Sequence, residues 1–178
     1  QSEFGGREIV VGPVFVGGLQ ITRKIYVPSD QSYARFLEIV TNPGAAVVNY
    51  TLPIYTNLGS DGSEPFVVTS SGDGIASTAD DWLVTDDGVG GDPSVTHVVS
   101  GQGGALRTSS FVKSIGEVSY GYALSLQPGE TQIVMHFASQ SYDQTAAVNR
   151  AQQLASLQLN ALAGMTEAVV AIDASGVV

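Results

Sequence analysis

Apolar and polar residues alternate along two stretches of this chain, and a proline-glycine turn interrupts each stretch. Residues 34–59 read ARFLEIVTNPGAAVVNYTLPIYTNLG. The pattern predicts a strand over residues 35–41, a turn at Asn42-Pro43-Gly44, and a longer strand. In the longer strand Val48, Tyr50, Leu52 and Ile54 alternate with Val47, Asn49, Thr51 and Pro53. A period of two with one apolar parity is the mark of a half-buried strand. Proline suits the first central position of a turn, and glycine accepts positive φ at the next. The expectation is a β-hairpin. A second one follows at residues 118–138. Val118, Tyr120, Tyr122, Leu124 and Leu126 alternate with Ser119, Gly121, Ala123 and Ser125. Gln127-Pro128-Gly129-Glu130 makes the turn, and Ile133, Met135 and Phe137 share one parity of the returning arm.

Shorter elements surround these frames. Residues 8–11 and 14–16 are apolar runs broken by Gly12-Pro13, which predicts two edge strands or one bent strand. Residues 19–27 place Leu19, Ile21, Ile25 and Val27 on one parity, with Arg23 as an intruder on it. Strand-like pieces at 66–69, 82–85 and 95–99 sit in a middle region dominated by Gly, Ser and Asp. After residue 140 the period lengthens. Ser141 with Gln144 reads as a capping box. Ala147, Val148, Ala151, Leu154, Ala155, Leu157, Ala161 and Leu162 form a helical stripe, which Gly164 would close. A shorter helix over residues 168–172, capped by Thr166, would follow. The expected fold is mainly β: an antiparallel two-sheet β-sandwich with a C-terminal amphipathic helix and a short second helix. Residues 1–178 read as a single domain, with its core in 8–138 and a helical segment over 141–174, excised from a longer chain.

Composition narrows the function classes. A chain of 178 residues buries enough surface to fold without a metal or disulfide. It has no cysteine, which removes disulfides, thiolate zinc sites and thiol nucleophiles. Seventeen acidic residues against seven basic ones give a net charge of -10. Such a surface repels phosphate backbones and anionic lipid, so neither nucleic acid nor a membrane surface is an expected partner. No apolar run reaches the ~20 residues of a membrane span. Abundant glycine and scarce lysine suit an extracellular or cell-surface β protein.

The acidic middle region carries the candidate chemistry. Carboxylates on tight glycine turns are the oxygen donors that Ca²⁺ takes. Asp80, Asp81, Asp86, Asp87 and Asp92 would be its ligands, although Asp-Gly pairs also form ordinary solvated turns. Two of these acids would equally suit a hydrolase in which one protonates the leaving group and the other attacks or activates water. Trp82, Tyr55 and Tyr26 offer rings on which sugars stack. The same rings serve equally as core filling. His136 falls on the polar parity of its strand and reads as a surface residue, while His97 lies among apolar neighbours. Thr108-Ser109-Ser110 lacks the setting of a nucleophile elbow. Gly88 to Gly91 and Gly101 to Gly104 lack the lysine and the strand-to-helix setting of a phosphate loop.

The stretch Leu37-Glu38-Ile39-Val40-Thr41-Asn42-Pro43-Gly44, with Leu126-Gln127-Pro128-Gly129-Glu130-Thr131 later, resembles the β-sandwich accessory domains of large bacterial secreted proteins. It is similar both to immunoglobulin-like modules and to the larger supersandwich domains attached to some carbohydrate-active enzymes. The likeness covers residues 23–137, and the terminal helix and acidic insertion favour the supersandwich comparison or a less familiar family of exported proteins. It implies a non-catalytic structural or interaction module, partnered by neighbouring domains of its own chain and carrying no catalytic residues. A carbohydrate-binding module, with a glycan as partner, is the first alternative and a hydrolase the second.

Overall fold

A computed structural model describes residues 1–57, 66–88, 91–114 and 116–165. The helix expected at 168–172 lies outside them. The described chain is mainly β, with two antiparallel sheets and one helix near its C-terminal end.

The strands are β1 (Ser2–Glu3), β2 (Glu8–Val16), β3 (Leu19–Tyr26), β4 (Tyr33–Thr41), β5 (Val48–Thr56), β6 (Phe66–Thr69), β7 (Trp82–Asp86), β8 (Ser94–Val98), β9 (Ser110–Ser114), β10 (Glu117–Leu126) and β11 (Thr131–Ser141). Eight of them form a sheet in the order β1-β2-β3-β4-β11-β8-β7-β6, and three form another in the order β5-β10-β9. The broken apolar run at Gly12-Pro13 is one bent strand, β2, with its register shifted between Val11 and Val14.

Neither expected hairpin forms. β4 pairs with β3 and β11, whereas β5 pairs with β10, so the Asn42-Pro43-Gly44 turn carries the chain from the larger sheet to the smaller. The Gln127–Glu130 turn carries it back. Alternation states which face of a strand is buried but not which strand lies beside it, and strands of either sheet can carry the same pattern. The two connections stack, so the pair that seemed to be hairpins is a pair of arches.

Asn42 locks them together. Its fully buried side chain donates from Nδ2 to the carbonyls of Ala46 and Leu126, at 2.8 and 3.0 Å, and Oδ1 accepts from Gly44 N–H at 3.0 Å. Its own N–H reaches the Glu130 carbonyl at 2.9 Å, and its carbonyl accepts from Gly129 N–H at 2.8 Å.

Buried residues of both sheets share one cluster: Leu19, Val40, Leu83 and Val134 from the larger, Leu52, Ile54, Tyr120, Tyr122 and Leu126 from the smaller. The opposite parity of the larger sheet, including Trp82, Val84, Val98 and Phe137, packs on Ala147, Ala151, Leu154 and Ala155 of the helix α1 (Gln144–Ala155).

The capping box is replaced. Ser141 is the last residue of β11, held there by pairing with Ser94, so the helix starts later and Asp143 caps it, accepting from Ala146 N–H at 2.8 Å. The helix also ends earlier than its stripe, at Ala155 with Ser156 as cap. Leu157, Leu159 and Asn160 adopt positive φ, and the chain folds back on the sheet. Leu157, Ala161 and Leu162 therefore belong to a strap rather than to the helix. Tyr33 OH donates to the carbonyls of Leu159 and Asn160, and Arg35 Nη1 to those of Ala161 and Ala163 at 2.9 and 2.8 Å. These side-chain bonds replace the helical ones that the strap gives up.

Candidate functional site

The five aspartates proposed as ligands are dispersed. Asp80 is fully buried and closes a loop: its carboxylate accepts from Ser71 N–H at 3.0 Å, Ser77 N–H at 2.9 Å, and the hydroxyls of Ser70 and Ser77. Asp81 pairs with Arg107 at 2.8 Å. Asp86 lies at the far end of β7, where it accepts from the Ser94 hydroxyl and from Gly88 N–H at 2.7 Å. Burial alone would raise the Asp86 pKa. Its bonds from Ser94, Gly88 and Gln144 outweigh burial and hold it below the usual carboxylate range. Asp87 is half-buried and partnered, and Asp92 is exposed.

A strand advances ~3.3 Å per residue, so Asp81 and Asp86 stand on the order of 16 Å apart along β7. Paired glycosidase carboxylates stand roughly 5–9.5 Å apart. Among the described residues no group of three or more His, Cys, Asp or Glu is placed to hold a metal ion.

Asp73, in the loop after β6, is bound by Ile75 N–H at 2.8 Å and by the hydroxyls of Ser71 and Thr69. These bonds, that of Ile75 first, lower its pKa.

The three aromatic candidates are also apart. Trp82 is buried, facing α1 across the larger sheet. Tyr26 is buried with the Phe4 ring edge-on at 6.0 Å and the Arg35 guanidinium 4.7 Å from its own ring centre. Tyr55 is 79% exposed, on the outward parity of the smaller sheet. Near that parity lies an open depression of about 290 Å³ lined by Asn49, Tyr50, Thr51, Ala123, Leu124 and Ser125, none of them charged.

The densest chemistry is a buried relay that residue reading missed. Arg23 Nε donates to Glu38 Oε1 at 2.6 Å, and His136 Nε2 lies 3.1 Å from the same oxygen. Tyr120 OH lies 3.0 Å from His136 Nδ1. A neutral histidine satisfies both contacts, giving its Nε2 proton to Glu38 and accepting at Nδ1 from tyrosine. The relay joins β3, β4 and β11 of one sheet to β10 of the other.

His136 is thus buried, contrary to the surface position expected from its parity. Its parity-mates are Val134 and Ala138, and its ring stacks on Phe36 at 4.8 Å. Burial lowers its pKa, and the Glu38 carboxylate offsets only part of that. Burial also raises the Tyr120 and Tyr122 pKa values. His97, buried nearby, is lowered to about 4 by burial first and by the neighbouring His136 second. Only Arg23, at 39% side-chain exposure, brings this relay to the surface. Substrate would reach Tyr120 or His136 only by parting the sheets. The available sequence signal was Arg23 on an apolar parity, which in hindsight marks a buried acid across from it: the register pairs Arg23 with Glu38.

No family model and no curated protein matches the sequence. Solved structures match its fold. A polysaccharide lyase aligns with a TM-score of 0.56 at 13% identity, over 85% of this chain and 24% of its own. A protein described as a kojibiose phosphorylase from the human microbiome aligns with a TM-score of 0.41 at 11% identity, over 82% of this chain and 22% of its own. The chain thus spans about a quarter of the length of these structures.

Proposed function

We propose that this chain is a non-catalytic β-sandwich accessory module of a larger, exported, carbohydrate-active polypeptide. One observation carries the reading: its fold recurs as 24% of a polysaccharide lyase chain, at a TM-score of 0.56. Two further features support it. The smaller and larger sheets contribute to one common cluster, as the facing sheets of a sandwich would. The acids and histidines that catalysis would need are committed to internal bonds, as at Asp80, Asp86, Glu38 and His136. The test is a polysaccharide depolymerisation panel read by release of reducing ends. No turnover is expected from residues 1–178. Turnover abolished by Asp86→Asn in a folded variant would overturn the reading.

A second reading, glycan binding, is favoured by the uncharged depression and by exposed Tyr55 on the smaller sheet. Neutral polar groups and a flat ring carried on one sheet suit a neutral saccharide. A glycan array should then show binding that Tyr55→Ala removes. Binding that survives Tyr55→Ala would exclude the Tyr55 ring as its platform. Calcium falls outside both readings: a thermal midpoint unchanged by chelator would oppose a native-state site.

A further inference from the structure

The smaller sheet leaves part of the larger sheet's apolar face uncovered. Register pairs Ile9 with Ile25, Val11 with Arg23, Val14 with Ile21 and Val16 with Leu19. All therefore lie on the parity of Leu19, which is buried in the cluster shared by the two sheets. Across β2 that parity meets water: Ile9 is 53%, Val11 51%, Val14 56% and Val16 43% exposed. The result is a shelf floored by β2 and β3. β5, the edge strand of the smaller sheet, stands above it, with Tyr50 of β5 against Gly17 at the tip of the β2–β3 turn. Exposed apolar side chains that continue a core face mark an interaction surface.

Three features narrow the occupant. Each bordering edge carries a proline in mid-strand, Pro13 in β2 and Pro53 in β5. Proline offers no N–H, so both edges are poor templates for an added strand, and the occupant is held by side-chain packing. The one charge on the shelf parity of β2 and β3, Arg23, is already met by Glu38, so the occupant is apolar rather than acidic. A second copy would bring another net charge of -10, which opposes self-association.

Resting on the accessory-module reading above, we propose that an adjoining segment of the same polypeptide packs an apolar face on this shelf. Residues Ser2 and Glu3 run beside β2, so chain joined ahead of them would start at its rim. Tethering in one chain also supplies the effective concentration that so small a patch requires.

The chain has no cysteine, so single cysteines report burial cleanly. Val11→Cys and Val14→Cys, with Tyr142→Cys as a fully exposed control, are labelled with a maleimide in residues 1–178 and in the whole polypeptide. Both shelf cysteines should react at least 10-fold more slowly in the whole polypeptide, while Tyr142→Cys reacts equally in both. Equal shelf rates in a longer polypeptide would overturn this inference alone. Protection that grows with concentration in residues 1–178 would assign the shelf to a second copy and overturn it too. A polypeptide with nothing outside residues 1–178 would overturn the accessory reading and this inference together.

Discussion

Two buried ion systems lie on opposite faces of the larger sheet, and they are built in opposite ways. Toward the smaller sheet an acid is deep: Glu38 is 2% exposed, its cation Arg23 is 39% exposed, and His136 shares the load. Toward the strap a cation is deep: Arg35 is fully buried, Glu8 beside it nearly so, and Lys24 brings the group to water. Each system thus keeps one member in water and hydrogen-bonds the buried one. The difference lies in what each holds. The Glu38 system ties sheet to sheet through side chains. The Arg35 system ties the strap to the sheet through the backbone carbonyls of Ala161 and Ala163.

Removing each deep cation or its counterpart breaks that comparison at its strongest point. Arg35→Ala leaves Glu8 without its buried partner and the strap carbonyls without donors. Breaking a buried pair from one side costs about 3–5 kcal/mol. Arg23→Ala should cost less, because Glu38 keeps His136 and water can approach where Arg23 was. Urea unfolding of both variants checks the order, and equal losses would mean that burial depth does not set the cost.

Acid sharpens the comparison next, because histidines lie only on the Glu38 side. The His97 pKa falls from 6.5 to about 4 on folding. As pH drops below 6.5 the unfolded chain binds the proton first, so stability is present above that value and lost down to about pH 4. The loss for this one group is about 3 kcal/mol. Lowered His136 adds in the same direction. The depressed Asp73 and Asp86 act lower, losing their contribution as pH falls below 3.8. Thermal midpoints from pH 7 to 4.5 should fall steeply, and less steeply in His97→Gln. A flat profile would place water at these histidines.

Asn42 tests whether arches rather than ions hold the two sheets in register. Asn42→Ala removes donors from two carbonyls and an acceptor from Gly44, a loss of about 2–3 kcal/mol for buried groups left unpaired. The same change in a hairpin turn at the surface would cost a few tenths. A urea midpoint close to wild type would therefore return the turn to a peripheral role.

Strands were legible because period-two alternation is a local property, and nearly every expected strand is present within a residue or two. Pairing was not legible. Residues 34–56 carry the same alternation whether β4 and β5 are neighbours or lie in different sheets. What distinguishes the cases is Asn42, whose side chain bonds Leu126, a residue far along the chain. The candidate site failed for a related reason. Asp80 and Asp86 are written like loop acids, but Ser70 and Ser71, which bond Asp80, and Ser94, which bonds Asp86, are distant in sequence and become their neighbours only on folding. Glu38 and His136 stand among apolar residues, and only register sets them against each other.

The smallest effect concerns the helix on the strap's side of the sheet. Asp143 replaces the Ser141 cap because β11 runs on through Ser141 to pair with β8. Its carboxylate satisfies the Ala146 N–H and lies at the positive end of the helix dipole. Asp143→Ala should cost about 1 kcal/mol. Ser141→Ala should cost less than half of that, since its hydroxyl caps nothing and its strand bonds are made by the backbone. Reversal of that order in thermal melts would show that the helix starts at Ser141 in solution.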